Sequence, residues 1–148
     1  MANILIITGS VYGGAQFVAE QVEQQLATQH QVTVTSTPSL TDLSQSSYDT
    51  FLLISSTTGQ GDLPDNLVSF YMDARDQMPL IPGKKYGVIA LGDRSYGETF
   101  CAAGRMMDEL FAELQGSKLG ERLEIDACET LQPEDEALPW LEQWQQAL

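Results

Sequence analysis

The sequence predicts an α/β domain in which helices cover both faces of a doubly wound, five-stranded parallel sheet, giving three layers. Short apolar segments alternate with segments whose apolar residues recur at helical spacing, as in parallel sheets buried between two layers of helices. The 148 residues contain no internal repeat or long linker, and this length suits one domain of ordinary size. We therefore expect a single domain over residues 1–148.

The five predicted strands are runs of apolar, often β-branched residues, and they lie near residues 3–8, 31–36, 50–56, 85–91 and 122–127. The first run follows Met1 closely, with no basic segment or cleavage-like site before it. It is therefore predicted to be a strand and not an export signal. No apolar run approaches the roughly 18 residues of a membrane span, so we expect a soluble, cytoplasmic protein.

Helices are predicted between the strands from the spacing of apolar residues. Residues 15–29 are predicted to bury one helical face, formed by Phe17, Val18, Val22 and Leu26. Residues 100–114 repeat this pattern, and their apolar side chains are likewise predicted to be core.

Two further helices are predicted from their end signals. Residues 65–77 begin with Asp65 and Asn66, which suit a cap and first turn, and Pro79 follows their end. The last helix is predicted to carry Pro139 in its first turn and to bury two tryptophans, Trp140 and Trp144. The Ser- and Thr-rich segment 36–49 is predicted to be a surface connection with one short helical turn.

Right-handed crossovers between parallel strands leave few topologies for such a domain. The pattern of elements is compatible with the Rossmann order and with the other common order of doubly wound sheets. In both orders, ligands bind to loops that follow the carboxyl ends of the strands. The segments after strands one, three and four are therefore the candidate site.

The segment after the first strand, 8–15, is rich in small residues and leads into a helix. Exposed backbone N–H groups and the helix dipole suit a phosphate there without any Lys or Arg. The segment lacks the GxGxxG pattern of dinucleotide sites and the Lys of a Walker A loop. The segment is therefore predicted to be either a site for a monophosphate or a tight turn in which glycine is needed only for the backbone conformation.

Two further loops follow the third and fourth strands. Residues 56–66 combine two glycines with hydroxyl side chains, which lets a backbone approach a flat or phosphorylated ligand closely. Residues 91–101 include Tyr96, whose ring offers a stacking surface, and Asp93, which suits the edge of a ligand. Alone, Tyr96 also fits a partly buried loop residue, but three such loops at one sheet edge favour a cofactor site.

Charge and cysteine content restrict the possible partners. The formal net charge of −14 at pH 7 repels nucleic acid and anionic membranes and favours a partner with a basic face. Acidity also keeps a small protein in solution, so charge alone does not name that partner. Cys101 and Cys128 lack CxxC spacing and are expected to be free thiols with no metal role.

These loops make the chain resemble the flavodoxin family and the related FMN domains of cytochrome reductases. The matching segments are 9–15, 55–66 and 92–101, and the order of elements is similar over essentially the whole chain. Residues 56–65, 86–93 and 139–144 resemble the bacterial MioC and YqcA group. The fifth strand shows no interruption between 122 and 126, so the chain resembles a short-chain flavodoxin, which implies the strand order 2-1-3-4-5.

The resemblance implies a site for FMN. Its phosphate loop would be Ser10, Val11, Tyr12, Gly13, Gly14 and Ala15. One side of the isoalloxazine ring would be lined by Ser55, Ser56, Thr57, Thr58 and Gly59, with Tyr96 on the other face and Gly92, Asp93, Phe100 and Cys101 around the pyrimidine end. In the family a peptide beside the flavin N5 turns over on reduction, and Gly59 matches that position, where glycine adopts φ > 0 without a Cβ clash.

Three positions depart from the pattern of the family. Val11 and Gly14 stand where many flavodoxins have threonine, so fewer side-chain hydroxyls reach the phosphate. Thr58 stands where many have tryptophan or tyrosine, so one stacking wall is missing. FMN is therefore expected to be held less firmly, with one ring face more open.

The resemblance implies an electron carrier and not an enzyme, since the redox chemistry belongs to the flavin. The protein would take single electrons from a flavodoxin or ferredoxin NADP reductase-type donor to an acceptor enzyme with a basic docking face. We expect a monomer that binds neither nucleic acid nor membrane. Acidic neighbours, among them Asp62, Asp65, Asp93 and Glu98, predict a low potential for full reduction.

Other functions stay open on the sequence. A flavodoxin-fold binding or regulatory protein, with weak or no FMN binding, would account for the three departures. A receiver domain needs an acidic cluster after strand one, where the chain has 8–10, and an aspartate at the end of strand three, where it has Ser55 and Ser56. A quinone reductase would need a substrate pocket that no sequence feature indicates.

Overall fold

The computed structural model describes residues 2–10, 14–44, 47–57, 62–93, 101–126 and 132–148. Strands and helices alternate along these residues as the sequence predicts, except that two strands follow one another after α4. In chain order they are β1 (Asn3–Gly9), α1 (Gly14–Leu26), β2 (Gln31–Thr35), α2 (Leu40–Ser44), β3 (Thr50–Ser55), α3 (Asp65–Gln77), β4 (Lys85–Gly92), α4 (Ala102–Glu113), β5 (Ser117–Lys118), β6 (Leu123–Asp126) and α5 (Glu134–Gln145).

All strand pairs are parallel, and the sheet has the order β2-β1-β3-β4 followed by β5 and β6, which both lie beside β4. Five strand positions therefore occur in the order 2-1-3-4-5. This confirms the order implied by the resemblance and excludes the Rossmann order. The reversal of strand order falls between β1 and β3, so their carboxyl ends flank the crevice where such sheets bind ligands.

The predicted fifth strand is present without interruption as β6, but a short strand that was not predicted, β5, precedes it at the same position in the sheet. Lys85 pairs with Ser117, and Ile89 pairs with Leu123, so four residue steps along β4 lie opposite six steps on its neighbour. The extra length forms a short bulge between β5 and β6, in which Gly120 has a φ of +69°. Glycine adopts this left-handed conformation at little cost, and this turn separates β5 from β6.

The sheet is buried on both faces because its strands alternate between two cores. Leu5, Leu53 and Val88 belong to the core under α3 and α4, whereas Ile4 and Ile89 belong to the core under α1 and α5. β1 and β3 therefore consist of nearly continuous apolar runs with no polar face, as expected for interior parallel strands.

Two helix predictions need correction. Phe17 is 46% exposed because it lies beside, and not on, the buried stripe of α1, which is formed by Ala15, Val18, Ala19, Val22 and Leu26. α5 begins at Glu134, so Pro139 lies inside the helix and not in its first turn. Pro133 precedes this helix and three acidic residues fill its first turn, which is a stronger start signal than Pro139.

Trp144 fixes α5 against the sheet through a close approach to Gly87. A Cβ atom added at Gly87 would lie 2.4 Å from the indole Nε1 of Trp144, so β4 accepts this large side chain only where it has glycine. Trp144 is buried as predicted, whereas Trp140 is partly buried and donates its indole N–H to the carbonyl of Glu121 at 3.1 Å. The two rings stack with their centroids 5.8 Å apart.

Candidate functional site

The carboxyl ends of β1, β3 and β4 lie side by side at one edge of the sheet. Gly9 is the partner of Ser55, and Ser55 is the partner of Ala90. The backbone N–H of Ser56 donates to the Gly9 carbonyl at 2.8 Å, which extends the pairing one residue beyond β3. The three segments predicted to form the site therefore start from neighbouring points.

Ser10 follows β1 directly and has a hydroxyl that lacks a hydrogen bond. Its Oγ atom is buried and has no partner among the described residues. A buried hydroxyl without a partner costs about 1–3 kcal/mol, so such groups commonly mark a place where a ligand or water completes the bonding. The α1 helix begins four residues later at Gly14, where a Cβ atom would have nothing within 4 Å.

A cleft of about 340 Å³ opens beside Ser10. Its lining comes from the ends of β1 and β2 and the start of α1 and α3, and comprises Thr8, Ser10, Gln16, Ser36, Pro64, Asp65 and Asn66. The cleft lies over β1 and β2, whereas the resemblance places the flavin ring over β3 and β4. It therefore adjoins the candidate phosphate loop but is not the candidate ring site.

Asn66 joins three elements at this edge, a role that the sequence analysis did not predict. Its side-chain amide donates to the carbonyls of Thr8 and Ser36, each at 2.8 Å. The predicted capping role is wrong in this respect, because α3 has no side-chain cap and is preceded by Pro64. Asn66 instead ties the start of α3, which follows the 58–61 segment, to the ends of β1 and β2.

Thr57 connects the loop after β3 to the helix that follows β4. Its hydroxyl Oγ1 accepts a hydrogen bond from the backbone N–H of Ala103 at 3.3 Å. Ala103 is in the first turn of α4, where backbone N–H groups lack partners within the helix. A residue 46 positions earlier in the chain therefore caps α4, and no sequence signal of local capping could have revealed it.

Cys101 lies against Gly92 at the end of β4. A Cβ atom at Gly92 would lie 2.6 Å from the backbone nitrogen of Cys101 and 3.0 Å from its sulfur, so glycine is required for this approach. The thiol is fully buried, and its Sγ donates to the Ala90 carbonyl at 3.5 Å. Burial is the main cause that raises the pKa of the thiol, and the nearby Glu124 carboxylate is the second; together they raise it to about 12. Cys101 is therefore uncharged at neutral pH, and it is a free thiol as predicted.

The described part of the candidate site holds nine of the predicted residues, namely Ser10, Gly14, Ala15, Ser55, Ser56, Thr57, Gly92, Asp93 and Cys101. Three of these side chains are buried: Ala15 belongs to the buried stripe of α1, the Ser55 hydroxyl donates to the Ser56 carbonyl at 2.8 Å, and Cys101 is the buried thiol described above. The other seven predicted residues lie outside the described residues: Val11, Tyr12, Gly13, Thr58, Gly59, Tyr96 and Phe100. Cys128 also lies outside them.

The described residues beside the end of β1 suit a phosphate group. The buried Ser10 hydroxyl and the first turn of α1 suit a phosphate without a counter-charge. Within the described ranges, no group of three His, Cys, Asp or Glu side chains is arranged to hold a metal ion. Nor does any helix in these ranges combine the length and apolar character needed to cross a membrane.

Comparison with known proteins relates the whole chain to one family. The sequence pattern of the flavodoxin family matches residues 6–140. Flavodoxin YqcA of Escherichia coli K12 is 44% identical over 145 residues, which cover 97% of each chain. Protein MioC of the same strain is 42% identical over 148 aligned residues, again covering 97% of each chain.

A larger protein and a solved structure extend the comparison. The sulfite reductase [NADPH] flavoprotein alpha-component of Bacillus subtilis is 34% identical over 95% of this chain, which corresponds to 23% of its own length. The structure of the C101S mutant of a flavodoxin from Pseudomonas aeruginosa matches with a TM-score of 0.91 and 42% identity, covering 99% of this chain and 98% of that one. Fold, sequence pattern and relatives agree, and the chain belongs to the flavodoxin family.

Proposed function

We propose that this protein binds FMN at the carboxyl edge of its sheet and acts as a low-potential carrier of single electrons. Membership of the flavodoxin family supports a flavin cofactor. The flavin supplies the redox chemistry when bound, and the protein supplies binding, orientation and electrostatics. The observation that carries the proposal is the buried, unpartnered hydroxyl of Ser10, which lies where the resemblance places the FMN phosphate.

Ser10 and the first turn of α1 form the described part of the proposed phosphate site. The Ser10 hydroxyl would donate to a phosphate oxygen and so gain the partner that it lacks. The backbone N–H groups of Gly14 and Ala15 belong to the first turn of α1, where no intrahelical acceptor exists. The dipole of α1 favours an anion there. Val11, Tyr12 and Gly13 are proposed to complete the loop.

The isoalloxazine ring is proposed to lie over the ends of β3 and β4. Its proposed contacts are Ser55, Ser56, Thr57, Thr58, Gly59, Gly92, Asp93, Tyr96, Phe100 and Cys101. The hydrogen bond from Ala103 to Thr57 supports this arrangement because it holds the loop after β3 against the start of α4. The two walls of the ring site would then keep a fixed separation, which is the preorganisation that a redox cofactor needs.

The electrostatic setting favours the less reduced forms of a bound flavin. Asp93 follows β4 and Asp126 ends the neighbouring β6, where it is buried. Carboxylates near the ring disfavour a further negative charge. The raised pKa of Cys101 keeps that thiol neutral, so it adds no further negative charge. We therefore propose a potential for full reduction below that of free FMN.

An NADPH-dependent flavoprotein reductase is the proposed electron donor. The sulfite reductase flavoprotein of Bacillus subtilis, named for its use of NADPH, contains a domain similar to this chain within a much longer protein. We propose that the present chain meets a reductase of that class by docking. The net charge of −14 supports a basic docking face on both donor and acceptor.

Titration of the apoprotein with FMN tests the proposal. Binding is expected to quench the fluorescence of FMN and to shift its visible absorption bands. Riboflavin, which lacks the phosphate, serves as the control and is expected to bind more weakly, because Ser10 and the α1 N-terminus then have no ligand. Unchanged FMN spectra at micromolar protein would refute the proposal and favour a binding or regulatory protein without flavin.

A further inference from the structure

A second cleft of about 340 Å³ opens at the amino-terminal edge of the sheet, opposite the edge that carries the proposed FMN site. We call it the amino-edge cleft. Its volume is within the range of small-molecule sites, which begins at about 300 Å³. The residues that concern us in its lining are Ala2, His30, Asp49, Thr50, Lys85 and Leu148.

The amino-edge cleft lies on the face of the sheet that α1 and α5 cover. Thr50 begins β3 and Lys85 begins β4, and the two are partners in the sheet. Lys85 is on the same side of β4 as Ile89, four residues later, and Ile89 belongs to the core under α1 and α5. The chain beyond these two helices supplies the other walls, His30 after α1 and Leu148 after α5.

Two polar side chains of the cleft are fixed by hydrogen bonds. The Nδ1 atom of His30 accepts the backbone N–H of Ala2 at 2.9 Å, so in the neutral ring Nε2 carries the proton and is a donor. The Asp49 carboxylate accepts the backbone N–H of Asn3 at 3.1 Å and the hydroxyl of the buried Thr50 at 2.7 Å. Each carboxylate oxygen keeps a further lone pair. A ligand therefore meets one fixed donor and one fixed acceptor.

Lys85 adds a cation to this cleft. Among the described residues, its side chain forms no hydrogen bond or ion pair, whereas the preceding Lys84 donates its Nζ to the Leu43 carbonyl at 2.7 Å. The chain has seven Lys and Arg residues and 21 Asp and Glu residues, so carboxylates that could pair with a cation are plentiful. The Lys85 ammonium is nevertheless left available to a ligand.

We propose that the amino-edge cleft binds a free amino acid with a short aliphatic side chain. The carboxylate of the ligand would accept from Lys85 Nζ and His30 Nε2, and its ammonium would donate to the Asp49 carboxylate. Ala2 and Leu148 would contact the aliphatic side chain.

Charge favours a zwitterion over other small ligands. The cleft combines one ammonium with one carboxylate, so a ligand with one charge of each sign satisfies both. A phosphate or a dicarboxylate would be repelled by the net charge of −14 and would leave the carboxylate of Asp49 facing another anion. The inference does not depend on the proposed function, because the two sites lie at opposite edges of the sheet.

Titration of the protein with L-valine, followed by the NMR shifts of backbone amides, tests the inference. Saturable shifts are expected at residues that line the amino-edge cleft. Two matched ligands are the controls: isovalerate lacks only the ammonium of valine, and isobutylamine lacks only its carboxylate. Each is expected to bind at least about tenfold more weakly than valine, because each loses the charge-assisted bonds of one end.

A pair of variants locates the binding. Lys85→Met keeps an apolar stem but removes the ammonium, and it is expected to weaken valine binding by about tenfold. Arg75→Met changes the net charge equally on α3 and is expected to leave valine binding unchanged. Equal valine affinity in the two variants overturns the inference, as does the absence of saturable shifts at the cleft in the wild type. Isovalerate or isobutylamine binding as tightly as valine also overturns it, and this comparison decides the matter even where Lys85→Met does not fold.

Discussion

Replacing Ser10 by alanine separates a ligand-binding role of this residue from a structural one. The hydroxyl is buried without a partner among the described residues, so the apoprotein has no hydrogen bond to lose. An unsatisfied buried hydroxyl costs about 1–3 kcal/mol, and its removal is expected to leave the free energy of unfolding of the apoprotein unchanged or higher. A hydrogen bond to a charged group contributes about 1.5–3 kcal/mol, so FMN affinity is expected to fall by about 10- to 100-fold.

Two measurements on the same variant check this prediction. Urea denaturation of the apoprotein gives its free energy of unfolding, and fluorescence titration gives the dissociation constants for FMN and riboflavin. Ser10→Ala is expected to weaken FMN binding and to leave riboflavin binding unchanged, because only FMN carries the phosphate. A variant that binds FMN as the wild type does, with a less stable apoprotein, would refute the reasoning and make Ser10 a structural residue.

Three further predictions follow from the described contacts. Gly14→Thr is expected to tighten FMN binding, as measured by the same titration, because its Cβ has open space and its hydroxyl lies at the proposed phosphate loop; equal affinity would remove Gly14 from that site. Gly87→Ala is expected to destabilise the apoprotein by about 1–3 kcal/mol, measured by thermal unfolding, because the added Cβ would lie 2.4 Å from Trp144 Nε1; an unchanged Tm would contradict this packing. Stability is expected to fall as pH rises above about 9, because burial raises the pKa of Cys101 from 9.0 to about 12 and also raises that of Tyr86, so the native state keeps protons that the unfolded chain loses. Cys101→Ala is expected to make that fall shallower in urea denaturation between pH 8 and 10.5, and a wild-type stability independent of pH in this range would count against the buried thiol.

The sequence predicts the sheet well where local patterns decide the outcome. Continuous apolar runs predict β1 and β3 because both faces of an interior parallel strand are buried. The carboxyl ends of the three strands that precede these loops are correctly predicted to lie at one edge, since parallel strands that neighbour one another end together. The helical turn predicted within 36–49 is also present, as α2.

Features that depend on distant contacts are not visible in the sequence. Asn66 suits a helix cap by residue type, but its amide instead bridges Thr8 and Ser36, which are 58 and 30 positions away. Thr57 caps α4 from another loop. Phe17 fits the apolar pattern of α1, yet the smaller Ala15 and Ala19 occupy the buried stripe because the helix packs closely on the sheet. In each case tertiary packing decides between alternatives that local propensity leaves equal.

The central claim is that this protein carries single electrons on a bound FMN at low potential, and a potentiometric titration of the FMN-loaded protein tests it most directly. The account predicts two separate one-electron steps, with the second at a potential below that of free FMN, because carboxylates are proposed to lie near the ring. A single two-electron step at or above the potential of free FMN would contradict it.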